Sequence, residues 1–268
     1  MSELNKQNER LNFLLEGFRA DSKNYKDIKI PSDGEEKMRI LRSLMNIRMP
    51  GRMSDAIIKI QDEYLQECAN EKGIIELSDI AIAKDNISIW QGDITRLKLD
   101  AIVNAANSQM LGCFIPMHTC IDNQIHTFAG IQLREECNSK MNDLRKLYGN
   151  NYEQPTAIPM LTDAYNLPAK KVIHIVGPIV ESKLTAQKEN ELASCYENVL
   201  DMCLENGLRS VAFCCISTGV FRFPNRRAAQ IATSTVEKWC IKNHGAMDRI
   251  VFNVFKDEDR GYYEEFLR

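Results

Sequence analysis

Apolar residues recur at helical spacing through the first quarter of the chain. Leu11, Leu14, Leu15 and Phe18 share one helical face, and a turn follows at Pro31-Ser32-Asp33-Gly34. Met38, Leu41, Leu44 and Met45 mark a second helix that closes near Met49-Pro50-Gly51. Ser54-Asp55 caps a third, which carries Ile57, Ile58, Ile60, Tyr64 and Leu65. From Gly73 the pattern changes. Residues 87–91 alternate like a strand, and residues 101–103, 172–176, 211–216 and 250–255 read as apolar strands. Between them, residues 124–137, 192–204, a segment from about Asn225 and residues 262–267 read as helices, with Asn206-Gly207 as a stop. Strands alternating with helices predict an α/β sheet with helices on both faces. Ligands in such sheets bind beyond the carboxyl ends of the strands.

The composition leaves this picture standing and excludes some functions. The chain has 268 residues, 44% hydrophobic and 26% charged, with a net charge of −3. It has no global basic character to draw it onto nucleic acid. No apolar run approaches the ~18 residues of a membrane span, and the start lacks a basic region followed by an apolar stretch. A cytoplasmic location without membrane or nucleic-acid partners is expected. Most of the nine cysteines then read as reduced, buried side chains, among them Cys195, Cys203 and Cys240.

Two loops at strand carboxyl ends carry the chemistry. After residues 101–103 comes the spacing C-x4-H-x-C of Cys113, His118 and Cys120. Two thiols and an imidazole in one loop suit one zinc ion, and three protein ligands leave a fourth position open, as in a catalytic site. Asn104 and Asn107 end the preceding strand with neutral amides, a donor–acceptor set that suits sugar hydroxyls. After residues 211–216 comes Ser217-Thr218-Gly219-Val220-Phe221, ahead of a helix. Its successive amides suit an anion, although such turns also occur without one. Asp93 follows the first strand as a turn former or an acceptor for an amine. Phe255 ends the last strand, facing either a ligand or the core. His174 lies in an apolar strand and reads as a core histidine, His126 and His244 as structural, and Cys137 as buried rather than a fourth ligand.

Gly92-Asp93-Ile94-Thr95, the run from Ala101 to Ser108, and Cys215-Ile216-Ser217-Thr218-Gly219-Val220-Phe221 resemble the macrodomain signatures in order and spacing. The resemblance runs from about residue 73 to the C-terminus. It implies a macrodomain-like mixed sheet at 73–268, behind an N-terminal helical extension at 1–72. That extension reads as a helical cap, with a substrate-gating lid as the alternative. The Cys/His insertion is similar to the zinc-dependent branch, which hydrolyses mono-ADP-ribosyl proteins in microbes. Some members of that branch are encoded beside a sirtuin-like ADP-ribosyltransferase. The resemblance implies ADP-ribose and a mono-ADP-ribosylated protein as partners, with the scissile C1″–O bond made to an acidic side chain. It assigns the adenine amino group to Asp93 and Ile94, ribose to Asn104 and Asn107, and the diphosphate to Ser217, Thr218, Gly219, Val220 and Phe221. Phe255 would lie on the adenine or ribose. Asn107 and Asp122 would serve catalysis, Asp122 as proton acceptor or water-orienting group. The family's glycine-rich loop is replaced by the insertion, and the pattern resumes at Ile121-Asp122, His126 and Gly130. Arg222 stands where many members have a small residue, facing either solvent or the phosphates. A non-catalytic ADP-ribose reader and an O-acetyl-ADP-ribose deacetylase are the alternative activities.

Overall fold

The computed structural model describes residues 3–268, so the first two residues of the helical reading lie outside the described residues. Three helices open the chain: α1 (Glu3–Asp21), α2 (Gly34–Ile47) and α3 (Asp55–Lys72). Asp33 caps α2 by accepting from the Glu36 amide, and Ser54 caps α3 by accepting from the Ile57 amide. Their apolar faces close on one another through Leu14, Leu15, Phe18, Leu41, Leu44 and Leu65. Ile131, from the larger part of the chain, completes this cluster.

The larger part contains β1 (Ile75–Glu76), β2 (Ile82–Lys84), β3 (Ile87–Gln91), β4 (Leu97–Lys98), β5 (Ala101–Ala106), α4 (Ile121–Ala129), α5 (Ile131–Tyr148), β6 (Met160–Asp163), β7 (Lys171–Val176), α6 (Ala186–Glu205), β8 (Ser210–Phe213), α7 (Asn225–Lys242), β9 (Arg249–Val254) and α8 (Asp257–Phe266). Seven strands form one mixed sheet in the order β2-β3-β9-β8-β5-β7-β6. Its five central strands are parallel, and β2 and β6 are antiparallel edges. The central strands are buried apolar runs, as expected where helices cover both faces. α6, α7 and α8 pack in succession, while α4 and α5 pack on each other and reach β5 and β6.

Several expected boundaries move. The helix expected at 124–137 is two helices, broken at Gly130, whose φ of +95° suits a residue without Cβ. A Cβ there would lie 2.7 Å from Nε2 of Gln61 in the helical extension. The strand expected at 211–216 leaves the ladder after Phe213, which frees residues 214–216 to turn into the loop. β9 ends at Val254, and Phe255 is exposed rather than core. β6 was hidden because it is a four-residue edge with only partial burial. Among the described residues no helix is long and apolar enough to cross a membrane.

Candidate functional site

The carboxyl ends of β5 and β8 bring the two loops to one edge of the sheet, because these strands are parallel neighbours. Within the first loop, the ligand-type atoms of Cys113, His118 and Cys120 all lie within 4.8 Å of one another. Cys113 Sγ is 3.5 Å from His118 Nδ1. All three residues are half-buried, so a fourth partner has a path to them. Zinc bonds of about 2.0–2.3 Å to nitrogen and sulfur need donors spaced in this way, so the donor set fits that ion. Cys120 is also the N-cap of α4, where its Sγ accepts from the Asn123 amide at 3.4 Å. Burial, with Cys113 and Asp122 nearby, pushes the Cys120 thiol up to about 12 against the pull of that amide. Such a thiol loses its proton to a metal more readily than to bulk water at neutral pH.

The loop is fastened from the side of the helical extension. Arg42 of α2 donates to the His118 carbonyl at 2.8 Å and to Asn123 Oδ1 at 2.9 Å. Asn46 accepts from the Met117 amide at 3.1 Å and donates to Thr127 at 2.9 Å. Arg134 of α5 stacks on Phe114 with its guanidinium carbon 4.4 Å from the ring centre. It donates to the carbonyls of Leu111, Met45, Asn46 and Arg48. Burial lowers this guanidinium to about 10. None of these three anchors was singled out from the chain; their partners lie 70 or more residues away for the two from α2. A cavity of about 420 Å³ between α2, α3 and α4 meets the same loop at Met117.

Asp122 opens α4 and is buried at 5% exposure. Its Oδ1 accepts from Asn104 Nδ2 at 2.8 Å, and Asn107 Nδ2 approaches Oδ2 at 3.5 Å. Burial raises its pKa to about 6, opposed by the Asn104 bond and the Arg134 charge. Asn107 is half-buried and also donates to the Gly112 carbonyl at 3.2 Å. Asn104 differs from the expectation of a sugar contact. It is fully buried inside β5, and its amide is spent on Asp122 and His174. None of its surface is exposed in this structure.

In the second loop, the amides of Gly219, Val220 and Phe221 make no backbone hydrogen bond among the described residues. Gly219 and Val220 are exposed, and Thr218 and Phe221 are half-buried. The loop is closed behind them by Phe223 donating to the Ser217 carbonyl and Arg222 to the Gly219 carbonyl, both at 3.0 Å. The left-handed positions are Ser217 at +66° and Arg222 at +59°, not Gly219. Strain of this kind persists where surrounding structure enforces it. Arg222 itself is exposed. Ser217 is buried against Gly177, where a Cβ would come within 2.1 Å of Ser217 Oγ. Gly177 was missed by the reading of the chain; its only signal is a Gly-Pro pair after an apolar strand.

At the other end, Asp93 Oδ1 is held by the Thr95 amide and hydroxyl at 3.0 and 2.6 Å. Ile94 is fully buried behind it. Asp93 Oδ2 faces Lys72 at 3.8 Å, and that ammonium sits 3.1 Å above the centre of the Phe128 ring. Phe255 is 78% exposed, an aromatic left free for a flat partner. His174, His126 and Cys137 are buried in the core, as expected for each.

A Macro domain profile matches residues 103–232. The chain is 48% identical to a Treponema medium protein named protein-ADP-ribose hydrolase, over 97% of this chain and 99% of that one. It is 42% identical to a protein of the same name from Staphylococcus aureus, over 100% of this chain and 98% of that one. A Trypanosoma brucei macrodomain solved in complex with ADP-ribose superposes with a TM-score of 0.64 at 29% identity, over 85% of this chain and 95% of that one. Full-length relatives at this identity, together with the shared sheet and the profile match, place the chain in the Macro domain family.

Proposed function

We propose that this protein is a hydrolase that removes mono-ADP-ribose from modified proteins, with the Cys/His loop as its zinc site. The near full-length likeness to two proteins named protein-ADP-ribose hydrolase supports the activity. The observation that carries the zinc reading is the clustering of Cys113, His118 and Cys120 in the loop beyond the carboxyl end of β5, two residues before Asp122. ADP-ribose is the expected ligand along the edge from Asp93 and Ile94, past Ser217 to Phe221, to Asn107, with Phe255 against the adenine or ribose. Cys113, His118 and Cys120 would hold the ion, which when bound supplies a Lewis acid toward a water or a sugar hydroxyl.

The chain's own groups define the rest. The amides of Gly219, Val220 and Phe221, which make no backbone hydrogen bond among the described residues, take the diphosphate. Asn107, donating to both Gly112 and Asp122, fixes the face of the sugar nearest the loop. In the reaction, water oxygen bonds to C1″, the C1″–O bond to the protein carboxylate breaks, and the carboxylate leaves. Asp122 accepts the proton that the water releases; a carboxyl held near 6 is suited to proton transfer close to neutral pH. Helices α1–α3 act as a brace, since Arg42 and Asn46 grip the loop.

Incubation of the protein with a mono-ADP-ribosylated protein, with and without a chelator, tests this. Free ADP-ribose should appear, disappear with the chelator and return with added Zn²⁺. Retention of the modified protein without release would make the chain a reader. Release of acetate from O-acetyl-ADP-ribose, with the protein substrate untouched, would make it a deacetylase.

A further inference from the structure

Asn104 and His174 are fully buried polar groups joined in one line to Asp122. Thr162 on β6, His174 on β7 and Asn104 on β5 occupy three adjacent strands, and Asn104 and His174 are register partners. Asn104 Nδ2 lies 2.8 Å from Asp122 Oδ1 and 3.0 Å from His174 Nδ1. His174 Nε2 lies 3.0 Å from Thr162 Oγ1, and that hydroxyl reaches the Val172 carbonyl at 3.4 Å. All four side chains are at most 5% exposed.

The direction of every bond follows from the two ends. Asn104 presents its Nδ2 to Asp122 Oδ1 at 2.8 Å, with the amide as donor. Its second hydrogen then points at His174 Nδ1, which must carry a lone pair. The proton of His174 is therefore on Nε2 and is donated to Thr162, whose own hydrogen goes to Val172. Burial depresses His174 to about 3, in keeping with a neutral ring. The carbonyl oxygen of Asn104 is left buried without a partner among the described residues. The arrangement keeps that cost in order to aim the amide at Asp122.

We infer that Asn104, His174 and Thr162 are positioning residues: a relay across three strands that fixes the histidine tautomer, and through it the orientation of the Asp122 carboxylate. Oδ1 is tied to the core by Asn104, and Oδ2 is left toward Asn107 and the sugar side. If the proton moved to His174 Nδ1, it would face the amide hydrogens of Asn104. The amide would then turn its oxygen inward and lose Asp122. Cys137 Sγ, 3.7 Å from His174 Nε2, is only a weak second acceptor and does not replace Thr162.

This rests on the proposed catalytic role of Asp122, and the measurements separate the two. Long-range ¹⁵N–¹H spectra of the full chain should show His174 as the Nε2–H tautomer, and an Nδ1–H signature would overturn the relay whatever the activity. In turnover of the mono-ADP-ribosylated protein, His174→Phe should lower kcat about ten-fold, the weight of one hydrogen bond to a charged group. Thr162→Val should lower it a few-fold and Thr162→Ser should restore it, with KM and the Kd for ADP-ribose unchanged throughout. A uniform loss in kcat and binding that merely follows Tm would reduce these residues to structural ones. Asp122→Asn with full activity would sink the role of Asp122 alone. An inactive Asp122→Asn beside a fully active His174→Phe would sink the relay alone.

Discussion

Among the described residues, two sets of three sulfur- or imidazole-bearing side chains bring their ligand-type atoms within 4.8 Å of one another: Cys113, His118 and Cys120, and His126, Cys137 and His174. By residue type they look alike, yet they are in opposite states. The first is half-buried, on a loop, at the carboxyl end of a strand. The second is sealed in the core at no more than 5% exposure. His174 has both ring nitrogens engaged by Asn104 and Thr162, so it has no lone pair free for a metal. Access, not residue type, separates the two sets: the His126 ring nitrogens have no hydrogen-bond partner among the described residues, yet they are sealed in the core.

The largest expected effect tests the half-buried set. Cys113→Ala and His118→Ala should each remove bound zinc and lower de-ADP-ribosylation on the order of 100-fold or more, with the fold retained by circular dichroism. Zinc content near wild type, or full turnover by a metal-free variant, would break the contrast. Cys137→Ala should leave zinc content unchanged in the same measurement.

Next in size is the point where the two sets touch. Gly112 has φ of +81°, and a Cβ there would lie 2.8 Å from the His126 ring. Gly112→Ala should cost about 1–3 kcal/mol of unfolding free energy from strain and displacement of a buried ring. Denaturant unfolding measures it, and a loss confined to activity would place the strain in the loop rather than the core.

The last contrast is the response of the core set to acid. Burial depresses His174 to about 3 and lowers His126 in the same direction, with Arg134 and Lys140 adding positive charge nearby. A histidine held neutral in the fold contributes stability that is complete above its unfolded pKa of about 6.5 and is lost as pH falls toward the folded value. Each should therefore remove about 1.4 kcal/mol per pH unit below about 6.5. Asp122, raised to about 6 by burial, opposes this over part of the same range, because its stabilisation is present at low pH and lost as pH rises through 6. Two histidines against one carboxyl leave a net loss from pH 6.5 to 4. Unfolding midpoints flat across that range would show that the core set is not held neutral.

Local patterns reported the helices well, because an amphipathic face is written in i, i+3 and i+4 neighbours. α3 starts at its expected capping residue, Ser54, and α2 starts within the expected turn, where Asp33 proves to be its cap. The break at Gly130 was not legible, since it depends on Gln61 pressing from another helix. The Cys/His triad was legible because its members fall within eight residues and close on themselves through one loop. The fate of Asn104 was not, because the amide of Asn104 and that of Asn107 look equivalent in a run of residues. Asn104 lies inside β5 and is fully buried, whereas Asn107 lies one residue past its end and is half-buried, so only the packing of the strand tells them apart.

The chain alone determined the alternation of helix and strand, the two loops at strand ends and the identity of the three metal-type donors, since each is set by neighbours a few residues apart. Tertiary structure decided which groups remain free to act. Strand pairing brought Thr162, His174 and Asn104 behind Asp122. Helix packing brought Arg42 and Asn46 onto the loop, and the turn of β9 left Phe255 in solvent. These outcomes depend on burial and hydrogen-bond partners supplied from distant segments, and the spacing of residues along a chain does not encode which of its distant segments will meet.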